Sequence, residues 1–179
     1  MTTSTLYNLD APDELSELAL KDASQDEILK RTYEAWHEST KELTKESAFD
    51  NVDTVYNTAL KMVSPFKEKL DKDIVMEDLT LSEHMSHSGC GLYISALLNG
   101  TKISKLIYGG KICTSNMGYI GYRIAAGKRM EIMPEHADGY ILIGNLAEGG
   151  TIINRGHPNQ LGFKARSGTF INFGACDDI

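Results

Sequence analysis

The run HMSHSGC sets His84, His87 and Cys90 three residues apart. On a helix, residues at i and i+3 share a face, so two imidazoles and a thiolate would converge there on one transition metal. Zinc is the ion that this donor set suits. Such a site wants a fourth ligand or a water, and His136, in the stretch MPEHADGY, is the candidate for that place. The plainer reading has the two histidines covering the entry to the glycine-rich part of the chain. Cys90 is then buried as a small apolar residue and His136 is a solvated loop residue.

Other constellations are thinner. IAAGK (124–128) and AEGGT (147–151) look like phosphate-cradling loops, but neither opens a helix and the Gly-x-x-x-x-Gly-Lys-Ser/Thr pattern is missing. Cys113 and Cys176 fall in or just past strand-like runs, and sequence places no His or Asp beside them to make a nucleophile. Asp177 and Asp178 read as a solvated end or as an acid–base pair. Lys164 and Arg166 either clasp an anion or form a charged turn edge that discourages strand-to-strand aggregation. No catalytic residue and no cofactor is assigned.

The elements that must position these residues divide the chain in two. Among residues 12–72 there is no glycine, although the whole chain holds 16, and the apolar positions recur at helical spacing. Pro12 suits the first turn of a short helix, PDELSELALK. Ser24 followed by Glu27 is a capping box, and Ile28, Leu29, Tyr33, Trp36 and Leu43 trace one broad apolar face after it. A third helical segment, 52–70, carries Val55, Tyr56, Ala59, Leu60, Met62, Val63 and Phe66, with Pro65 forcing a kink or a break.

From Gly89 onward the texture changes to glycine and short β-favouring runs. Aligned on a first glycine, the chain repeats GLYISAL at Gly91, GKICTSN at Gly110, GKRMEIM at Gly127, GTIINRG at Gly150 and GTFINFG at Gly168. A second glycine stands six residues ahead of the last three, directly after Ile120, Ile143 or Leu161. Strands punctuated by glycine at a period near eighteen fit stacked β-coils. The third position after the anchoring glycine (Ile94, Cys113, Met130, Ile153, Ile171) is then expected inside. The fourth (Ser95, Thr114, Glu131, Asn154, Asn172) is expected outside or in a polar ladder. Arg129 is out of place, since its counterparts are Tyr93, Ile112, Ile152 and Phe170. Glycine recurs where the backbone needs positive φ or a close approach.

The segments GYIGYRIAAGKRMEIMP (118–134), GNLAEGGTIINRG (144–156) and QLGFKARSGTFINFG (160–174) resemble the glycine-repeat β-helix domain at the C-terminal end of the glutamate synthase large subunit. The same domain type occurs in one of the subunits of formylmethanofuran dehydrogenase. MSHSGCGLYISALLNGTKISKLIYGG (85–110) is similar to that domain's opening, so the resemblance covers residues 80–176. It implies an architectural role, holding catalytic domains in relation to each other without supplying catalytic side chains. The parts that perform the glutamate synthase reaction are not found here. The chain begins MTTST without an N-terminal cysteine, has no three-cysteine cluster and is too short for a flavin barrel.

The expected fold is therefore α+β: a helical segment, residues 1–79, preceding a right-handed single-stranded β-helix, residues 80–179. The face bearing Tyr33 and Trp36 is expected to pack within the chain over an open end of the β-helix, or else to make a subunit contact. The net charge of −7 lies wholly in residues 1–75, with 16 acidic and 9 basic side chains; residues 76–179 carry 9 of each. Neither half offers the basic field that nucleic acid or an anionic membrane requires. No signal peptide or spanning segment is read, and three cysteines without a framework spacing fit free thiols in a reducing, cytoplasmic setting. The expected function is that of a non-catalytic assembly protein, partnered by copies of itself or by protein subunits of a larger complex. The alternatives are a metal-binding enzyme or sensor using His84, His87 and Cys90, and a separately encoded non-catalytic subunit of an amidotransferase/flavin or formylmethanofuran-type oxidoreductase.

Overall fold

A computed structural model describes residues 20, 22–45, 51–75, 89–110, 119–134, 142–156 and 160–174. Helix α1 (Gln25–Lys45) starts where the capping signal stands: the Glu27 backbone N–H donates to Ser24 Oγ at 3.3 Å. The Glu27 carboxylate is turned to Arg31 instead, 2.6 Å away and one turn on. Helix α2 (Val52–Val63) ends where Pro65 forbids it to continue, giving way to a 3-10 turn, Ser64–Phe66. The segment PDELSELALK lies outside the described residues, apart from its Leu20, which is buried in the core.

Helix α3 (Cys90–Gly100) occupies the stretch in which the first β-repeat, GLYISAL, was expected. Every residue from Cys90 to Leu98 is buried. A run that is apolar on all sides does not distinguish strand from helix by its period; its eleven residues and its leucines and alanine favour the helix once it is enclosed. It is enclosed by α1 and α2 on one side and by the glycine-rich turns on the other. Tyr33 and Trp36 pack within the chain, with ring centroids 5.1 Å and 5.2 Å from that of Tyr93 on α3. Gly100 lets α3 close on α2, since a methyl there would stand 3.0 Å from both Leu60 and Val63.

The β-helix expected for residues 80–179 is not the fold found. The described residues form three helices and a parallel five-stranded sheet in the order β1-β2-β3-β5-β7, an α/β arrangement. Its strands are β1 (Ile74–Val75), β2 (Lys105–Gly110), β3 (Arg129–Pro134), β5 (Glu148–Asn154) and β7 (Ser167–Asn172). A second, two-stranded parallel sheet pairs β4 (Leu142–Ile143) with β6 (Gln160–Leu161), and Ile120 bridges to Ile143 beside it. The expectation fails first at Gly91, where a helix replaces the strand. It also fails at β1, which comes from the segment expected to be helical and pairs with β2.

The glycine repeats do mark strands that pair in register, but β3 stands one place off the glycine alignment: Met130 is buried as expected, yet it pairs with Ile152 rather than Ile153. Leu106, Met130, Ile152 and Phe170 lie level across four strands, the first three fully buried and Phe170 partly so. Ile153 and Ile171 are neighbours on the opposite face; Ile153 is buried there, as expected, whereas Ile171 is exposed. The same one-residue shift accounts for Arg129. It pairs with Thr151 rather than Ile152, faces outward and meets Glu131 at 2.8 Å, while Lys105 meets the same carboxylate at 3.1 Å. Burial alone would raise the Glu131 pKa, but the hydrogen bonds from Lys105 and Arg129 outweigh it and hold the carboxyl below its usual range.

Candidate functional site

Of the three residues expected to bind metal, only Cys90 is among those described; His84, His87 and His136 lie outside them. Cys90 opens α3 and is fully buried, with its thiol hydrogen-bonded to Tyr33. Burial pushes this thiol far above its ordinary pKa, against a smaller downward pull from Tyr33. Burial does the same to the Tyr33 and Tyr93 hydroxyls. Thiolate is the form that ligates metal or attacks carbon, and this setting disfavours it. Among the described residues, no three His, Cys, Asp or Glu side chains gather closely enough to hold a metal. Cys113, Cys176, Asp177 and Asp178 also lie outside the described residues.

Two polar constellations that the sequence reading missed are built along the C-terminal half of α3 and just past its end. Asn99 donates through Nδ2 to Tyr56 Oη at 2.8 Å and to the Arg123 carbonyl at 3.1 Å, and its Oδ1 accepts from the Ala125 N–H at 3.0 Å. One turn earlier, Ser95 Oγ accepts from the Tyr122 N–H at 3.0 Å. The helix thus stitches down the turn at 119–125. Tyr122 in turn donates to Asp53 on α2 at 2.8 Å, and Arg123 pairs with the same carboxylate at 3.1 Å. Burial, followed by the Asp53 contact, pushes the Tyr122 pKa up to about 12. Farther along, Lys128 Nζ donates to the carbonyls of Thr101 and Ile103 at 2.8 and 2.7 Å, satisfying backbone acceptors where α3 ends. The only sequence signal for these groups was a polar residue recurring at i and i+4, Ser95 and Asn99, on an otherwise apolar helix.

The glycine-marked turns are built alike. Gly121, Gly144 and Gly162 have φ of 72°, 69° and 74°, and the residue two places on, Arg123, Leu146 or Lys164, is also left-handed at 51°, 54° and 53°. Each turn hands hydrogen bonds to the next: Gly144 N–H to the Ile120 carbonyl and Gly162 N–H to the Ile143 carbonyl, both at 2.7 Å. On the inner face of the large sheet, Asn154 Nδ2 donates to Asn172 Oδ1 at 2.7 Å, and each asparagine also donates to the carbonyl two residues on.

This series stops at an apolar face. Among the described residues β7 is an edge strand of the large sheet; Ile171 on it, Phe173 just past its end and Phe163 in the turn before it are 40 %, 64 % and 45 % exposed. Lys164 lies with its ammonium 5.1 Å from the centre of the Phe163 ring, and Arg155 stacks 4.7 Å from that of Phe173. Lys164 and Arg166 therefore flank this face as a charged edge, and the anion clasp has no cradle among the described residues. An edge strand of six residues with an exposed Ile is the kind of strand to which a further strand can add. Among the described residues, no helix is long and apolar enough to cross a membrane. Comparison with models of known families, with curated proteins and with solved structures finds no match.

Proposed function

We propose that this chain is a non-catalytic assembly protein that joins other protein through the β7 edge and the turn before it. The observation that carries the reading is the exposure of Ile171 and Phe173 on and just after β7, which among the described residues is the last strand of the large sheet, with Phe163 also exposed in the turn before it. Among the described residues, the groups suited to chemistry are also consistent with it. Cys90, Tyr33 and Tyr93 are held neutral in the core, and Asn99, Ser95 and Lys128 are committed to backbone partners. The role is the one that the likeness to the glutamate synthase C-terminal domain implies. Copies of the chain, or catalytic subunits of a glutamate-synthase-like complex, are the partners in view.

The test is the size of the species that contains this chain in a native extract. A complex larger than the chain is expected, and Ile171→Lys with Phe173→Lys should release the chain from it. A chain that migrates as a monomer, or a complex indifferent to both changes, would overturn the reading.

A further inference from the structure

Resting on that reading, we infer that the partner of β7 is β7 of a second copy, paired antiparallel about a two-fold axis that passes beside Ile171. The two edges of the large sheet are unequal. β1 is two residues long and offers little to pair with, whereas β7 runs over six. Joining β7 of one copy to β1 of another would be head-to-tail and open-ended; joining β7 to β7 closes on itself at two subunits.

The side-chain pattern fits the closed arrangement. Thr169, Ile171 and Phe173 share the outer face of the strand, and Phe170 and Asn172 share the inner one. A two-fold perpendicular to the sheet brings Ile171 opposite its own copy, Phe173 opposite Thr169, and Phe170 opposite Asn172, so that outer meets outer and inner meets inner. Ile171 and Phe173 then each gain a cross-strand neighbour. The charges agree. The described last turn and strand, 160–174, carry Lys164 and Arg166 and no carboxylate, so a parallel alignment would set like charges side by side. The antiparallel one sends them to opposite ends of the paired strands, where they do not repel.

Because residue 171 faces itself, like charges placed there must repel and opposite charges attract. The experiment is light scattering of the purified full chain. Wild type is expected at twice the mass of the 19.8 kDa chain. Ile171→Lys alone and Ile171→Glu alone should each halve that mass with an unchanged circular dichroism spectrum, and mixing the two should restore the dimer. In a Cys113→Ser, Cys176→Ser background, Ile171→Cys should cross-link to a covalent dimer on oxidation, while Lys164→Cys should not. A monomeric wild type, or a dimer that persists in Ile171→Lys, overturns the inference. If the purified chain is monomeric yet still enters a larger native complex in an Ile171-dependent way, self-pairing fails and the assembly reading stands. If it enters none, both fail.

Discussion

The side-chain amide of Asn154 donates to the side-chain oxygen of Asn172 across 2.7 Å, bringing level two residues that stand eighteen apart in the chain. Asn154 is 1 % exposed, and its amide also bonds both backbone groups of Gly156. Replacing it by alanine leaves those groups and the Asn172 oxygen short of a partner. An unmade buried hydrogen bond costs about 1–3 kcal/mol, so Asn154→Ala should lose about 2–3 kcal/mol in urea denaturation and Asn172→Ala about 1 kcal/mol. The double variant should lose less than the two together; strict additivity would show that the bond does not couple them.

Gly144 and Gly127 both need positive φ, at 69° and 80°, but only Gly144 is crowded. A methyl on Gly144 would run into the ring edge of Phe170, while one on Gly127 meets nothing within 4 Å. Gly127→Ala should therefore cost about 1–2 kcal/mol from backbone strain alone. Gly144→Ala should cost about 1–3 kcal/mol more by overpacking. Adding Phe170→Leu should recover part of the loss in the Gly144 variant and none in the Gly127 variant, as thermal melts would show.

Lys128 reaches the carbonyls of Thr101 and Ile103 with one ammonium. Lys128→Met keeps the stem and deletes the donor. Bonds from a charged donor contribute about 1.5–3 kcal/mol, but burial lowers this lysine's pKa, so part of that gain is lost to desolvation. A loss near the lower bound, about 1.5 kcal/mol, is expected. Amide exchange should quicken first at the C-terminal turn of α3, and uniform quickening would contradict the assignment.

Burial raises the pKa of Tyr33, Tyr56, Tyr93, Tyr119, Tyr122 and Cys90. Each group favours its proton more in the folded state than in the unfolded one. Their stabilisation is therefore complete below about pH 8.5 for the thiol and about pH 10 for the phenols, and is lost as pH climbs through the folded values. For Tyr122 that window runs from about 10 to about 12. Stability should fall steeply above about pH 10, and the phenolate absorbance of the buried tyrosines should rise together with loss of helical circular dichroism. Ionisation of all eight tyrosines ahead of unfolding would refute this.

The same burial predicts how Cys90 reacts. In a Cys113→Ser, Cys176→Ser background, the remaining thiol should resist a disulfide reagent while the protein is native and react fully in denaturant. Rapid native labelling would place Cys90 at the surface and revive its candidacy as a ligand.

The sequence legibly marked whatever depends on neighbours along the chain. The Ser24 cap, the arrest of α2 at Pro65, the apolar face of α1 through Tyr33 and Trp36, and the glycines at 121, 144 and 162 are all local demands on the backbone, so residue types announce them. The pairing of the last two repeats, Ile153 with Ile171, was legible for the same reason. The roles of Asn99, Ser95 and Lys128 were not, because their partners lie on other elements, and the i, i+4 spacing of Ser95 and Asn99 says nothing of what they bind.

What the chain alone determined, then, is where it turns and which stretches are alike. What only the tertiary structure decided is which way those stretches face and what encloses them. GLYISAL became a helix because α1, α2 and the glycine-marked turns close over it, and β3 settled one residue away from the simple glycine alignment, where Met130 is buried level with Ile152 and Arg129 points outward. Side chains alternate across a strand, so a slip of one residue exchanges core for surface, and only packing against the rest of the molecule sets the energy difference that chooses between them.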